Sequence, residues 1–180
     1  GLQNNPLGIL GLGKLGAQVA RVGLAFGMNV QAWSANLTPD RCTECGVVCA
    51  SREELFATSD IVTVHLVLSD RTRGLIGTTE FQMMKPTAYL VNTSRGPIIQ
   101  ESALVSALQS GSIAGAGLDV FEHSPAVNPK LLALDNVVLL PHMGSATFEG
   151  RGDMGEKVVI NIQTFVDDHT PPDRVISDKF

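Results

Sequence analysis

Leu7-Gly8-Ile9-Leu10-Gly11-Leu12-Gly13-Lys14-Leu15-Gly16 decides the fold of this chain. Leu7 to Leu10 reads as a buried strand, it runs straight into G-x-G-x-x-G, and helical periodicity begins just beyond. The glycines permit a tight strand-to-helix turn, close approach of backbone to a pyrophosphate, and close helix packing, while a helix N-terminus adds amide donors and a favourable dipole. Gly11, Gly13, Lys14, Leu15 and Gly16 therefore form a candidate dinucleotide cradle.

Alone, such a motif is weak; the pattern around it supplies the context it needs. Ala17 to Phe26 reads as a helix with Val19, Ala20, Val22 and Gly23 on its inner face, stopped by Gly27, and a second strand follows at Met28 to Trp33. Thr38-Pro39 predicts an N-cap with proline at the first helical position, and Gly46 ends that short helix before the strand Val47-Val48-Cys49. Ser51 to Glu54 fits a capping box, and Asp60 precedes the β run Ile61 to Leu66. Thr79 is expected to cap a helix through Met84, ended by Pro86, with Ala88 to Asn92 as the next strand. Glu101 to Gln109 reads as a helix closed by Gly111, Ala116 to Phe121 and Val137 to Leu140 as strands, and Ser145 as the cap of a final helix running toward Val166 and closed by Pro171-Pro172.

Near-continuous apolar strands alternating with helices predict an α/β fold. The expected form is a Rossmann-type doubly wound parallel sheet covered on both faces, with ligands beyond the carboxyl ends of the strands. We read residues 1–150 as one dinucleotide-binding domain and 151–180 as a C-terminal helix and tail.

At 180 residues and 44% hydrophobic content the chain has enough material for one packed core. A net charge of -5 with scattered basic residues supplies no cationic field for nucleic acid or an anionic membrane. No apolar run is long enough to span a bilayer and no signal peptide is evident, so a cytoplasmic location is expected. Cys42, Cys45 and Cys49 are odd in number and have no fourth ligand nearby, so they read as small packing residues rather than a metal site.

The polar residues at strand ends carry the chemistry. Ser34 follows the second strand, where an acidic side chain would accept hydrogen bonds from an adenosine ribose. Its hydroxyl can still bond a ribose and does not repel a 2′-phosphate, but no arginine appears until Arg41 to grip one; NAD is preferred and NADP stays open. His65 and Thr93 end later strands. Arg95 follows, and its five-donor fork can hold a carboxylate and polarise a carbonyl, with Gly96 and small neighbours leaving room for a ligand. His142 ends the last strand with an imidazole suited to proton exchange near neutrality. Arg95 and His142 together describe a carbonyl/alcohol redox site.

Gly11 to Gly16, His65-Leu66, Asn92 to Gly96, Leu118 to Phe121 and Pro141 to Thr147 resemble the cofactor domain of the D-isomer-specific 2-hydroxyacid dehydrogenases. The resemblance covers nearly the whole chain. It implies NAD(P)-dependent interconversion of a D-2-hydroxy acid and its 2-oxo acid, of glyoxylate or hydroxypyruvate type. Arg95 would bind substrate, His142 would act as general acid/base, and Asp119 would orient the nicotinamide carboxamide. Ser34, His65, Thr93 and Gly144 complete the implied cofactor contacts, and a homodimer is the expected assembly.

Two departures restrain the implied activity. The family places a glutamate five residues after the strand aspartate, paired with the catalytic histidine, and this chain has Ser124 there. Loss of that carboxylate lowers the imidazole pKa and weakens its orientation. Only Gly1 to Pro6 precede the first strand, whereas relatives carry most of a substrate domain upstream. We therefore expect an impaired dehydrogenase half. The alternatives are a non-catalytic, corepressor-like dinucleotide-binding module and, more weakly, a methyltransferase on the same fold.

Overall fold

The computed structural model describes residues 1–174, which fall into two compact units, Gly1–Pro141 and the segment from His142 onward. In the first, seven strands pair in parallel: β1 (Pro6–Leu10), β2 (Asn29–Trp33), β3 (Val48–Cys49), β4 (Ile61–Val64), β5 (Tyr89–Asn92), β6 (Gly115–Leu118) and β7 (Val137–Leu139). Their order is β3-β2-β1-β4-β5-β6-β7. The direction of winding reverses at β1, which lies between β2 and β4 with Leu7 opposite Val30 on one side and Ile61 on the other. Helices α1 (Lys14–Ala25), α2 (Pro39–Cys45), α3 (Arg52–Thr58), α4 (Thr78–Met83), α5 (Glu101–Gln109) and α6 (Pro129–Leu132) connect them. This is the Rossmann-like α/β sheet that the alternating pattern predicts.

Side chains alternate across the sheet and build two cores. On one face Leu10, Val62, Val64 and Leu90 pack with Leu55 and Phe56 of α3, Phe81 of α4 and Leu104 of α5. On the other, Leu7, Ile9, Val30 and Ala32 meet Ala20 of α1 and Cys42 of α2. Of the residues expected on the inner face of α1, Ala20 and Gly23 are buried and Val19 packs against the core, whereas Val22 is exposed; Gly16 is buried as well. Cys42 packs as a small apolar residue, and burial, with the neighbouring Cys49 and Cys45, pushes its thiol up to about 12. Within this unit helices cover both faces over β1 and β2, but not along β5 to β7. There Tyr89, Val91, Gly117 and Val138 line an open groove, with Tyr89 and Val138 exposed.

The capping chemistry explains most helix starts. Thr38 Oγ1 accepts the Arg41 N–H at 3.3 Å with Pro39 behind it, Gly46 ends α2 at φ +68°, and Ser51 and Glu54 bond each other's backbone N–H. Two assigned caps move. α4 starts one residue before Thr79, after Gly77, whose N–H is taken at 2.8 Å by the returning Glu80 carboxylate. The carboxylate three residues on thus supplies the returning half of a capping box, to the N-cap N–H, and no side-chain hydroxyl caps the first turn. The short helices Gly96–Ile98 (3-10) and α6 went unread, although Asn128-Pro129 at α6 repeats the cap-plus-proline signature of Thr38-Pro39.

The second unit is built on α7 (Phe148–Val166). Thr147, not Ser145, caps it, with Oγ1 accepting the Gly150 N–H at 3.0 Å. It ends before Pro171: Asp168 takes φ +59° and the His169 N–H returns to the Thr164 carbonyl at 2.9 Å. Asp173 then accepts from Lys157 and Asn161, both at 3.0 Å, tying the following segment to its own helix. No helix of the described residues is long and apolar enough to cross a membrane.

Candidate functional site: a dinucleotide crevice at the β1/β4 switch point

The turn after β1 is knit on both sides. The Gly11 N–H donates to the Trp33 carbonyl at 2.9 Å, and the His65 N–H donates to the Leu10 carbonyl at 2.7 Å. Gly11 adopts φ +98°, and a Cβ there would lie 2.7 Å from the His65 carbonyl oxygen. At Gly16 a Cβ would come within 1.9 Å of the Gly11 carbonyl oxygen, so this glycine lets α1 press against the turn. Gly13 is different: a Cβ added there meets nothing within 4 Å. Gly13 is also the N-cap of α1, no side chain caps it, and no acidic residue occupies the first turn. Uncapped first-turn amides facing open space beside a glycine without steric purpose in the protein itself are what a pyrophosphate requires. The cradle fits the group.

Beyond the cradle, on the β4/β5 side, lies a cavity of about 290 Å³ lined by Leu15, His65, Leu66, Thr93, Ser94 and Arg95, among others. Buried Asn92 shapes its floor: its side chain donates to the Arg95 carbonyl and accepts the Ser94 N–H, each at 3.0 Å. Ser94 Oγ donates to the Leu66 carbonyl, linking the two strand ends. The Arg95 guanidinium is thereby carried on a fixed turn while remaining exposed, with one Nη donating to the Ser94 carbonyl at 2.6 Å. His65 bonds Thr63 Oγ1 through Nε2 at 3.0 Å, and burial pushes its pKa below 6.5, which keeps the ring neutral at pH 7.

Gly96 corrects one step of the sequence reasoning. Its missing side chain does not leave room for a ligand: a Cβ there would sit 2.0 Å from the Phe121 carbonyl group and 2.5 Å from the Glu122 nitrogen. The room is taken by the backbone that follows β6. That contact is reinforced by a reciprocal pair, in which Glu101 accepts the Glu122 N–H and Glu122 accepts the Glu101 N–H, each at 3.2 Å. Glu122 is thus committed at the start of α5. Ser124 is committed as well, accepting the Phe121 N–H at 3.1 Å and donating its only hydroxyl proton to the Phe121 carbonyl at 2.9 Å. Ser124 therefore has no hydroxyl proton left to donate to an imidazole.

On the β2 side Ser34 opens onto a second cavity, of about 320 Å³, together with Trp33, Asn36 and, from the loop beyond β4, Arg71. Arg71 was missed in the sequence, where nothing in its spacing connects it to Ser34. Arg41, the cation that the sequence offered, bonds the Leu12 carbonyl at 3.4 Å and Glu44 at 3.1 Å. Lys14 and Leu15 are exposed in the first turn of α1. Asp119, buried just after β6, donates its N–H to the Asn92 carbonyl at 3.0 Å. His142 and Gly144 belong to the second unit, where both are exposed and His142 takes φ +56°.

A glycine cradle at the point where strand order reverses, with a cavity on each side at the strand carboxyl ends, defines a dinucleotide-binding α/β domain. Within that class the chain belongs to the D-isomer specific 2-hydroxyacid dehydrogenases, matching the model of their NAD binding domain over residues 1–144. It is 43% identical to a glyoxylate reductase of Thermococcus litoralis over 178 residues, 99% of this chain and 54% of the relative. A crystal structure of a glyoxylate reductase from Paecilomyes thermophila superposes with a TM-score of 0.82 at 42% identity, covering 91% of this chain and 49% of that one. A D-lactate dehydrogenase with NAD+ from Lactobacillus jensenii superposes at 0.86 with 28% identity, covering 97% and 56%. The chain spans about half the length of the curated relatives it matches.

Proposed function

We propose that this chain is the cofactor-binding half of an NAD-dependent oxidoreductase that interconverts a small D-2-hydroxy acid and its 2-oxo acid, of glyoxylate or hydroxypyruvate type. The observation that carries the proposal is the uncapped Gly13 cradle opening beside the cavity that presents Arg95. Gly11, Gly13, Gly16 and the first-turn amides at Lys14 and Leu15 hold the pyrophosphate. Ser34 bonds the adenosine ribose, and His65, Thr93, Asp119 and Gly144 contact the nicotinamide half. A dinucleotide held by these residues would supply or accept the hydride. Arg95 holds the substrate carboxylate through its planar fork and polarises the adjacent carbonyl, while His142 exchanges the proton at the carbonyl oxygen.

Turnover by this chain is weak in the proposal, because Ser124 stands where a carboxylate would raise and orient the catalytic imidazole and its hydroxyl is already spent. The exposed apolar surface at Tyr89, Val138 and along α7 supports a homodimer. The unpaired Cys42, Cys45 and Cys49 support the cytoplasm.

Calorimetric titration with NADH and a rate assay following NADH loss with glyoxylate test the proposal. Saturable NADH binding is expected, with slow turnover that Arg95→Ala and His142→Ala abolish. No binding at millimolar NADH, or a rate unchanged in both variants, overturns it.

A further inference from the structure

α2 and β3 bring three cysteines to one end of the sheet, and strand pairing decides where the last of them points. β3 is the edge strand and pairs with β2 in parallel, Gln31 opposite Val48 and Ala32 opposite Cys49, so that each pair shares a face. Gln31 faces α3, donating to Thr58 Oγ1 at 2.7 Å and to Ser59 Oγ at 3.0 Å, whereas Ala32 packs in one core with Cys42 of α2. Cys49 therefore points from the sheet edge toward buried Cys42, and its thiol lies within hydrogen-bonding reach of the Cys42 thiol. The connection between them is short and tied: Gly46 turns at φ +68°, and the Val47 N–H donates to the Cys42 carbonyl at 3.0 Å. Cys49 is exposed, so solvent reaches one member of the pair and not the other; Cys45, one helical turn after Cys42, is half-buried against the same core. α2 is also attached to the glycine cradle. Arg41, next to Cys42, donates through Nε to the Leu12 carbonyl at 3.4 Å, and Leu12, between Gly11 and Gly13, belongs to the core that holds Cys42.

We propose that Cys42 and Cys49 form a peroxide-sensitive dithiol whose disulfide weakens dinucleotide binding. The effect on binding rests on the cradle described above; the disulfide does not. A peroxide reaches Cys49, whose thiolate sulfur attacks one peroxide oxygen and breaks the O–O bond. Cys49 becomes a sulfenic acid, and with hydrogen peroxide the departing hydroxide is protonated to water. The Cys42 sulfur then attacks that of Cys49, the S–S bond forms, and the sulfenic hydroxyl leaves with the Cys42 thiol proton as a second water. Two thiols are oxidised and one peroxide is reduced. Burial holds the Cys42 proton firmly, so the buried thiol is the resolving partner and not the one oxidised first. A covalent bond brings the two sulfurs closer than any non-bonded contact and draws α2 toward β3. The Arg41–Leu12 bond, already long, breaks first and frees Leu12 in the middle of the cradle.

Treatment with hydrogen peroxide, alkylation of the remaining thiols and mass spectrometry of the 42–52 peptide, which trypsin releases between Arg41 and Arg52, locate the bond. The peptide is expected to lose two hydrogen atoms and to carry a single alkylated thiol, at Cys45. Dithiothreitol should reverse the loss, Cys45→Ser should keep it, and Cys42→Ala or Cys49→Ser should abolish it. In calorimetric titrations the oxidised chain should bind NADH about three- to tenfold more weakly than the reduced chain, the scale of one ordinary hydrogen bond. Cys49→Ser should bind NADH equally well before and after peroxide. A bond made by Cys45, over-oxidation of Cys49 with no bond, or a disulfide that leaves NADH affinity unchanged overturns the proposal while leaving the cradle intact. Failure of the reduced chain to bind NADH overturns the cradle and the coupling together, with the disulfide still read by mass.

Discussion

Two glycines three residues apart in the cradle should fail in opposite ways when replaced by alanine. At Gly16 the new Cβ lies 1.9 Å from the Gly11 carbonyl oxygen and 3.0 Å from its carbon, so the first contact is about 1.5 Å inside the 3.4 Å at which ordinary contact begins. Both atoms are backbone, in a turn already bonded to β2 and to the residue after β4, and neither can swing aside. Overpacking of this kind costs about 3 kcal/mol at the upper end of its usual range, and alanine returns at most about 1 through better helix propensity. The ligand-free domain should therefore lose about 2 kcal/mol and about 4–8 °C in Tm. At Gly13 the Cβ meets nothing, so ligand-free stability should fall by no more than about 1 kcal/mol, from the poorer N-cap. The same Cβ projects into the space assigned to the pyrophosphate and should weaken NADH at least tenfold, about 1.4 kcal/mol. Thermal unfolding by circular dichroism, with and without NADH, reads both effects. At NADH one hundred times the wild-type Kd, the ligand should add about 2.7 kcal/mol to wild type and about 1.4 to Gly13→Ala. If Gly13→Ala keeps its full NADH stabilisation while unfolding as early as Gly16→Ala, the open space before α1 is not a phosphate site.

Gly96→Ala should destabilise the ligand-free domain by about 2–3 kcal/mol, since its Cβ would strike the Phe121–Glu122 backbone; a urea midpoint within error of wild type would refute that contact. The fold depresses the His65 pKa below 6.5, so in the acid range the unfolded chain binds more protons than the folded one and stability rises with pH there. Stability contributed by the neutral ring is present above 6.5 and declines as pH falls through the folded-state pKa; a Tm profile in His65→Gln should be flatter between mildly acidic and neutral pH. Ser124→Glu should cost about 1 kcal/mol by removing the two bonds to Phe121, yet raise the rate of glyoxylate reduction and move its acid-side limb; loss of stability with no kinetic gain would argue against a missing carboxylate partner.

The parts of this fold that were legible in the sequence are those in which one residue's chemistry settles its own neighbourhood. Thr38-Pro39, Ser51 with Glu54, and Gly46 fix helix ends through bonds spanning three or four residues, and each stands where the sequence places it. The reading slipped where two local solutions competed. Thr79 offered a hydroxyl, but Glu80 reaches back to Gly77; Ser145 was expected to cap α7, and Thr147, two residues on, does so. It failed where the answer depends on chain brought from elsewhere. Nothing near Gly96 announces that the segment after β6 lies against it, and nothing near Arg71 announces Ser34. The same boundary divides the candidate site: the glycine cradle was legible because strand, turn and helix are consecutive, whereas Arg71, which lines the cavity beside Ser34, comes from a loop distant in sequence.

The segment after β6 separates binding from catalysis in this chain. Asp119 leaves the strand end, Phe121 packs into the core, and Glu122 turns back to exchange backbone bonds with Glu101 at the start of α5. Both carboxylates are drawn toward amide donors near a helix N-terminus, where negative charge is favoured, so releasing Glu122 to serve an imidazole would strip α5 of a partner. Ser124 cannot serve either, because its hydroxyl closes the turn on Phe121. The nearest acidic side chain in sequence therefore cannot compensate for the one that Ser124 replaces, and the deficit has to appear in proton transfer. Neither Glu122 nor Ser124 lines the cavities beside the cradle. Cofactor affinity and turnover should consequently respond to different substitutions: Gly13 governs the first, and Ser124 governs the second without weakening NADH.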